Sequence, residues 1–148
     1  MKKLSIDLGI QEFQINDSDV RLKFNPSDPN VYTRFLKIPE KIEKIERDMA
    51  DEVSSLQEGD GAGALEALER ADAKAKSVMN DVFGLGNDFD EIMCGINIMA
   101  SGTNGNRVIV NLFEALHPIF EEGAKKCASA KLETAKANRE QRRAAAKK

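Results

Sequence analysis

One histidine, His117, two cysteines, Cys94 and Cys127, and the acidic run Asp88, Asp90, Glu91 are the residues here whose types are most often put to chemical use. A general base needs an orienting partner and a proton to abstract. His117 adjoins Pro118 and has Glu114 and Glu121 at helical spacing, which reads as a structural histidine on a helix. The cysteines lie far apart and form no CxxC pattern, so they read as reduced structural thiols. The acidic run lacks the alternating oxygen ligands, the sixth-position glycine and the twelfth-position glutamate of a calcium loop. It reads instead as helix capping and solvated charge. Gly84-Leu85-Gly86 and the segment from Gly102 to Gly105 follow no hydrophobic strand and lack the Gly-Lys-Ser/Thr ending of a phosphate loop. Turns are expected at both. The expectation is therefore a non-enzymatic chain with no catalytic residue, no cofactor and no bound metal.

Charge is the stronger signal. From Lys125 onward, nine basic residues (Lys125, Lys126, Lys131, Lys136, Arg139, Arg142, Arg143, Lys147, Lys148) face only Glu133 and Glu140, a net +7. The whole chain carries −3, which leaves −10 for residues 1–124. Such a tail could hold phosphates in a salt-dependent way. It has no aromatic residue to stack on bases, however, and the acidic body would repel nucleic acid. Contact with an acidic protein surface, or with the acidic body itself, is the favoured reading, ahead of a simple solubilising tail, with Lys136, Arg139, Arg142 and Arg143 as candidate contacts.

The elements that must position these residues follow from length and pattern. With 148 residues, 41% hydrophobic and 32% charged, the chain is long enough for one domain with a modest core. Aromatics are few, at 5% with no Trp, so Leu, Ile, Val, Met and seven Phe must fill that core. No apolar run reaches the roughly 18 residues of a membrane span. Met1-Lys2-Lys3-Leu4 starts like a signal peptide, but Asp7 and Glu12 interrupt any apolar stretch, so a cytoplasmic protein is expected.

Leu4, Ile6, Leu8 and Ile10, then Phe13 and Ile15, alternate with other residues; after Asn16-Asp17-Ser18-Asp19 the alternation resumes with Val20, Leu22 and Phe24. This predicts an N-terminal β-hairpin over 4–24. Asn25-Pro26-Ser27-Asp28-Pro29 predicts a helix capped by Asp28 and started by Pro29. Phe35, Ile38, Ile42, Ile45, Met49, Val53 and Leu56 form a near-heptad, coiled-coil-like stripe on it, and Pro39 should kink it or split off its first turns. After a Gly-rich turn, a second helix from Ala64 to Phe83 should present Leu65, Leu68, Ala75, Val78, Met79 and Val82 to the first. Residues 87–95 read as a short helix. A last helix starts near Arg107 and carries Ile109, Leu112, Phe113, Leu116, Ile119 and Phe120, with a kink expected at His117-Pro118.

The fold class is thus mainly α with an N-terminal β-hairpin: an α-hairpin core, a C-terminal helix and a basic tail. Residues 1–124 form one domain, and 125–148 a projecting or fraying helix with nothing to bury. Candidate partner-binding residues are Phe13, Ile15, Val20, Leu22 and Phe24 on the hairpin and Ile42, Ile45 and Met49 on the stripe, besides the four tail residues above.

Certain motifs carry a resemblance. Phe24-Asn25-Pro26-Ser27-Asp28-Pro29 leads from a hairpin into a helix with Tyr32 and Phe35; Val82-Phe83-Gly84 precedes Asp88-Phe89-Asp90-Glu91-Ile92-Met93-Cys94-Gly95; Phe113-Glu114-Ala115-Leu116 lies in a closing helix. Over roughly residues 4–125 the chain resembles the tail assembly chaperones of phages and prophages of Gram-positive bacteria. The resemblance implies a non-enzymatic protein of the host bacterial cytoplasm that binds tape-measure protein and tail tube protein. Self-association is left open, and no membrane contact is implied. Two other readings remain: a structural tail or virion component that assembles through its β-hairpin, and a small nucleic-acid-binding regulator that uses the basic tail.

Overall fold

The computed structural model describes residues 1–146, apart from the side chains of residues 131 and 132. Lys147 and Lys148 of the basic tail, and the side chains of Lys131 and Leu132, lie outside the described residues. The chain is mainly α with an N-terminal β-hairpin, as its patterning predicts. Strands β1 (Gln11–Phe13) and β2 (Leu22–Phe24) are followed by helices α1 (Pro29–Leu36), α2 (Ile38–Ser54), α3 (Gly61–Phe83), α4 (Phe89–Ile92) and α5 (Val108–Ala146).

The hairpin is shorter than its alternation suggests. β1 and β2 pair antiparallel over Gln11–Phe24, Glu12–Lys23 and Phe13–Leu22 only. Residues 1–10 form no strand, although Leu4, Ile6, Leu8 and Ile10 alternate. The chain bends at Gly9, whose φ of 69° favours glycine, and Asp7 Oδ1 accepts the Gly9 N–H at 2.8 Å. Asn25 Nδ2 then donates to the Leu8 carbonyl at 3.0 Å. Local polar bonds thus replace the ladder that the alternation anticipates.

Asp28 caps α1 by accepting the Asn30 N–H at 2.9 Å, and Pro29 opens the helix, as expected. Pro39 splits this region rather than bending it. α1 stops at Leu36, and α2 starts at Ile38 with Pro39 in its first turn, where a missing N–H costs no hydrogen bond. The stripe runs across the break: Phe35, Ile38, Ile42 and Ile45 are buried. Met49 and Leu56 are half-buried, and Val53 is exposed because the stripe outlasts the core it faces.

α2 and α3 pack together as the α-hairpin. Of the predicted α3 face, Ala75, Met79 and Val82 are buried and Leu68 and Val78 are half-buried on the core, whereas Leu65 points to solvent, 69% exposed. Ala67, Ala71 and Phe83 are buried as well, and alanines four residues apart let two helices approach closely. Gly84 ends α3 with φ 58°, and its N–H bonds the Asn80 carbonyl at 2.8 Å. α4 is shorter than the 87–95 segment predicted, because Cys94 and Gly95 both adopt positive φ and close it.

α5 begins one residue after Arg107 and runs on through Pro118 without interruption. Pro118 and Glu114, whose carbonyl lacks its usual helical donor, are both exposed, so water can serve that carbonyl. Ile109, Leu112, Leu116 and Phe120 are buried. All seven phenylalanines meet in one network. Phe24 stacks on Phe13 at 4.7 Å and on Phe120 at 5.0 Å, with Phe83 edge-on at 5.0 Å. Phe35 stacks on Phe113 at 4.4 Å and on Phe120 at 4.3 Å, and Phe89 joins through Phe83 at 5.4 Å.

One turn beyond Phe120, Gly123 lies directly against the backbone of Pro26 and Ser27. A Cβ there would fall inside the contact shell of the Pro26 carbonyl oxygen. Gly123→Ala is therefore expected to destabilise the fold by about 1–3 kcal/mol, despite alanine's better helix propensity. Urea denaturation of the two proteins measures this.

Candidate functional site

The charged groups buried within the fold do structural work. Lys76 is 5% exposed inside α3. Its Nζ lies 2.9 Å from Asp72 Oδ2 and 2.6 Å from Asp90 Oδ1. Asp72 also accepts the Ile98 N–H at 2.7 Å through its other oxygen. Burial acts to lower the Lys76 pKa, but the hydrogen bonds its ammonium donates to Asp90 and Asp72, together with their charges, more than offset it, and the net shift is upward. The ammonium pins α4 and the Asn97–Met99 segment to α3. Sequence reading missed this triad. Its signal was a lysine one turn after an aspartate, on the face that carries Ala75 and Met79.

Arg107 performs a similar task for the loop before α5. Its Nε donates to Glu46 Oε1 at 2.7 Å, and its Nη1 donates to the Met99 carbonyl. His117 Nδ1 lies 3.2 Å from Glu121 Oε1, and the imidazole rests beside Phe35 and Phe113. Cys94 and Cys127 are both free thiols. Among the described residues, no group of three or more His, Cys, Asp or Glu is placed to hold a metal ion.

The predicted partner-binding residues separate into three sets. Leu22 and Phe24 are fully buried, and Ile42 and Ile45 are 6% and 8% exposed. These four belong to the chain's own core, because the hairpin's apolar face rests on the aromatic network and the stripe rests on α3; of them only Ile42 shows an edge at the surface, in a groove between α2 and α5. Phe13, Ile15 and Met49 are half-buried and pack on the same core. Val20, 39% exposed, is the one hairpin residue of the set that faces solvent. Lys136, Arg139, Arg142 and Arg143 all lie on the exposed distal part of α5.

Three surface features remain unpartnered within the chain. The first is α5 beyond the core: of the described side chains from Lys125 to Ala146, only Cys127 is even half-buried. At 1.5 Å per residue this segment extends for about 33 Å. The second is the N-terminal arm, with Leu4 at 89%, Ile6 at 75% and Leu8 at 55% exposure. The third is an open groove of about 230 Å³ between α2 and α5, floored by Ile38, Ile42, Ile109 and Phe113 and flanked by Pro39 and Val110. Glu43 and Glu46 complete its lining. The hairpin adds an asymmetry. Asn87 closes the outer edge of β2, its side chain accepting the Lys23 N–H at 3.0 Å and donating to the Lys23 carbonyl at 2.8 Å. The sheet has only two strands, so β1 has no strand on its other side.

The Lys76 triad yields a measurable expectation. Lys76→Ala strands two carboxylates, one of them nearly buried, and should cost about 3 kcal/mol in chemical denaturation at neutral pH. A lysine whose pKa is raised on folding stabilises the folded state fully below its unfolded value of 10.5, and that contribution is lost as pH rises through the folded value. Stability of the parent protein should therefore fall above pH 10.5 in a step that the variant lacks. Comparison with protein-family models, with characterised proteins and with solved structures finds no match for this chain.

Proposed function

We propose that this chain is a non-enzymatic tail assembly chaperone of a phage or prophage, which binds tape-measure protein, tail tube protein or both in the host bacterial cytoplasm. The observation that carries this reading is the distal half of α5. A helix of about 33 Å whose described side chains are almost all exposed contributes little to folding, since isolated helices are marginal in water. It displays Lys136, Arg139, Arg142 and Arg143 to solvent, away from an acidic body. A long helix with exposed charge suits lateral contact with a helical client better than enclosure of a small substrate.

The motifs behind the resemblance also occupy fold-determining places. Asn25-Pro26-Ser27-Asp28-Pro29 links the hairpin to α1 and packs against Gly123. Phe83 and Phe89 flank the Gly84 turn and join the aromatic network. Phe113 stacks on Phe35. Among the described residues no helix is long and apolar enough to cross a membrane.

A second reading, a structural component of the tail, is favoured by one observation: β1 has a free edge beside the sealed edge of β2. Free strand edges accept strands from neighbouring subunits.

Co-expression with a tape-measure segment should raise the segment's solubility and give a complex on size exclusion. Deletion of residues 125–148 should weaken that complex at least tenfold. An unchanged client and no complex would count against the chaperone. Mass spectrometry of mature particles separates the two readings, because a chaperone should be absent and a structural component present in stoichiometric amount. A gel shift at two salt concentrations checks the nucleic-acid alternative; the expected result is no sequence-independent retention at physiological salt.

A further inference from the structure

We infer that two copies of this chain exchange their N-terminal arms, the arm of each seating in the α2/α5 groove of the other. The arm has no seat in its own fold. Leu4 and Ile6 are 89% and 75% exposed, and the chain is held at Leu8 by Asn25, so residues 1–7 lead away from that anchor. Exposed aliphatics at alternate positions favour an apolar surface that takes every second side chain.

The groove offers such a surface. Ile38, Ile42, Ile109 and Phe113 floor it, and its volume of about 230 Å³ exceeds the 150 Å³ or so that accommodates a benzene-sized group. The dimensions agree. From Ile38 to Glu46, α2 rises about 12 Å, and an extended Lys2–Ile6 segment spans about 13 Å.

Charge supplies the direction and the identity of the occupant. The arm's basic residues, Lys2 and Lys3, lie on one side of Leu4 and its acidic residue, Asp7, on the other; the groove's carboxylates are Glu43 and Glu46, of which Glu46 is already paired with Arg107 and Glu43 is exposed. Leu4 and Ile6 laid on the apolar floor bring the lysines toward the carboxylates at its far end. Each copy carries one arm and one groove, so the exchange is reciprocal and closes as a two-fold dimer. This inference is independent of any client and does not rest on the chaperone reading.

Sedimentation equilibrium of the full-length protein at several concentrations tests it, with circular dichroism to verify the fold of each variant. The parent should be a monomer–dimer system. Leu4→Asp with Ile6→Asp, both at exposed positions, should weaken the dimer at least tenfold and leave the spectrum unchanged, since burial of one aliphatic side chain is worth about a factor of ten or more. Lys2→Glu with Lys3→Glu should weaken it roughly two- to fivefold, and so should Glu43→Lys, the range for exposed ion pairs. The three charge changes combined in one chain should give a tighter dimer than the Lys2→Glu, Lys3→Glu variant, since Glu43→Lys then offers the reversed arm an opposite charge. A monomer at every concentration, a dimer indifferent to the arm substitutions, or a combined variant no tighter than the Lys2→Glu, Lys3→Glu variant would overturn the inference.

Discussion

Phe120 is the residue on which the packing converges. Its ring meets Phe24 from the hairpin at 5.0 Å, Phe35 and Tyr32 from α1 at 4.3 and 5.7 Å, and Phe83 from α3 at 6.1 Å. Offset and edge-on ring pairs at such separations add about 0.5–1.5 kcal/mol each beyond area burial. A two-stranded hairpin is marginal by itself in water. Here it persists because Leu22 and Phe24 are buried against rings supplied from residue 35 to residue 120. The hairpin, the α-hairpin and the closing helix therefore depend on one another. Among the described residues, all of the chain's aromatic side chains are committed to this single cluster.

The second constraint is polar. Several loops are fixed by side chains that take the place of backbone partners. Asn80 accepts the Phe89 N–H, Asn87 closes β2, Asn97 accepts the Met99 and Ala100 N–H groups, and Asp72 accepts that of Ile98. These residues give the segments between 80 and 107 their polar, site-like character. Their hydrogen bonds hold backbone, and α4 is fastened to α3 in the same way, through the Asp90–Lys76 ion pair.

Much of this architecture was legible in residue types and spacing. The Asp28-Pro29 start, the Gly84 stop and the apolar positions of α5 follow from capping chemistry and helical period, which are local and strong. The errors have physical causes too. Alternation from Leu4 to Ile10 looks like a strand, yet a strand needs a partner, and the bend at Gly9 with the Asn25 contact removes it. On α3 the helical period placed Ala75, Met79 and Val82 correctly but could not say where the face ends, and Leu65 at the start of the helix lies beyond the core. Leu22, Phe24, Ile42 and Ile45 looked equally suited to a partner or to the core, since both reward the same apolar pattern. The α2/α5 groove joins residues distant in the chain, and so does the Asp90 arm of the Lys76 triad; only the Asp72–Lys76 spacing is local.

The junction at Gly123 divides α5 into parts that should respond differently to heat. Toward the N-terminus of the helix, each residue is locked by the aromatic network and can be released only when the whole domain opens. Toward Ala146 the described side chains are exposed, so the helix there follows the gradual, length-dependent statistics of an isolated peptide. A calorimeter would register the first as a cooperative peak and the second as a sloping baseline beneath it. A partner that clasps the tip would turn part of that slope into a second peak.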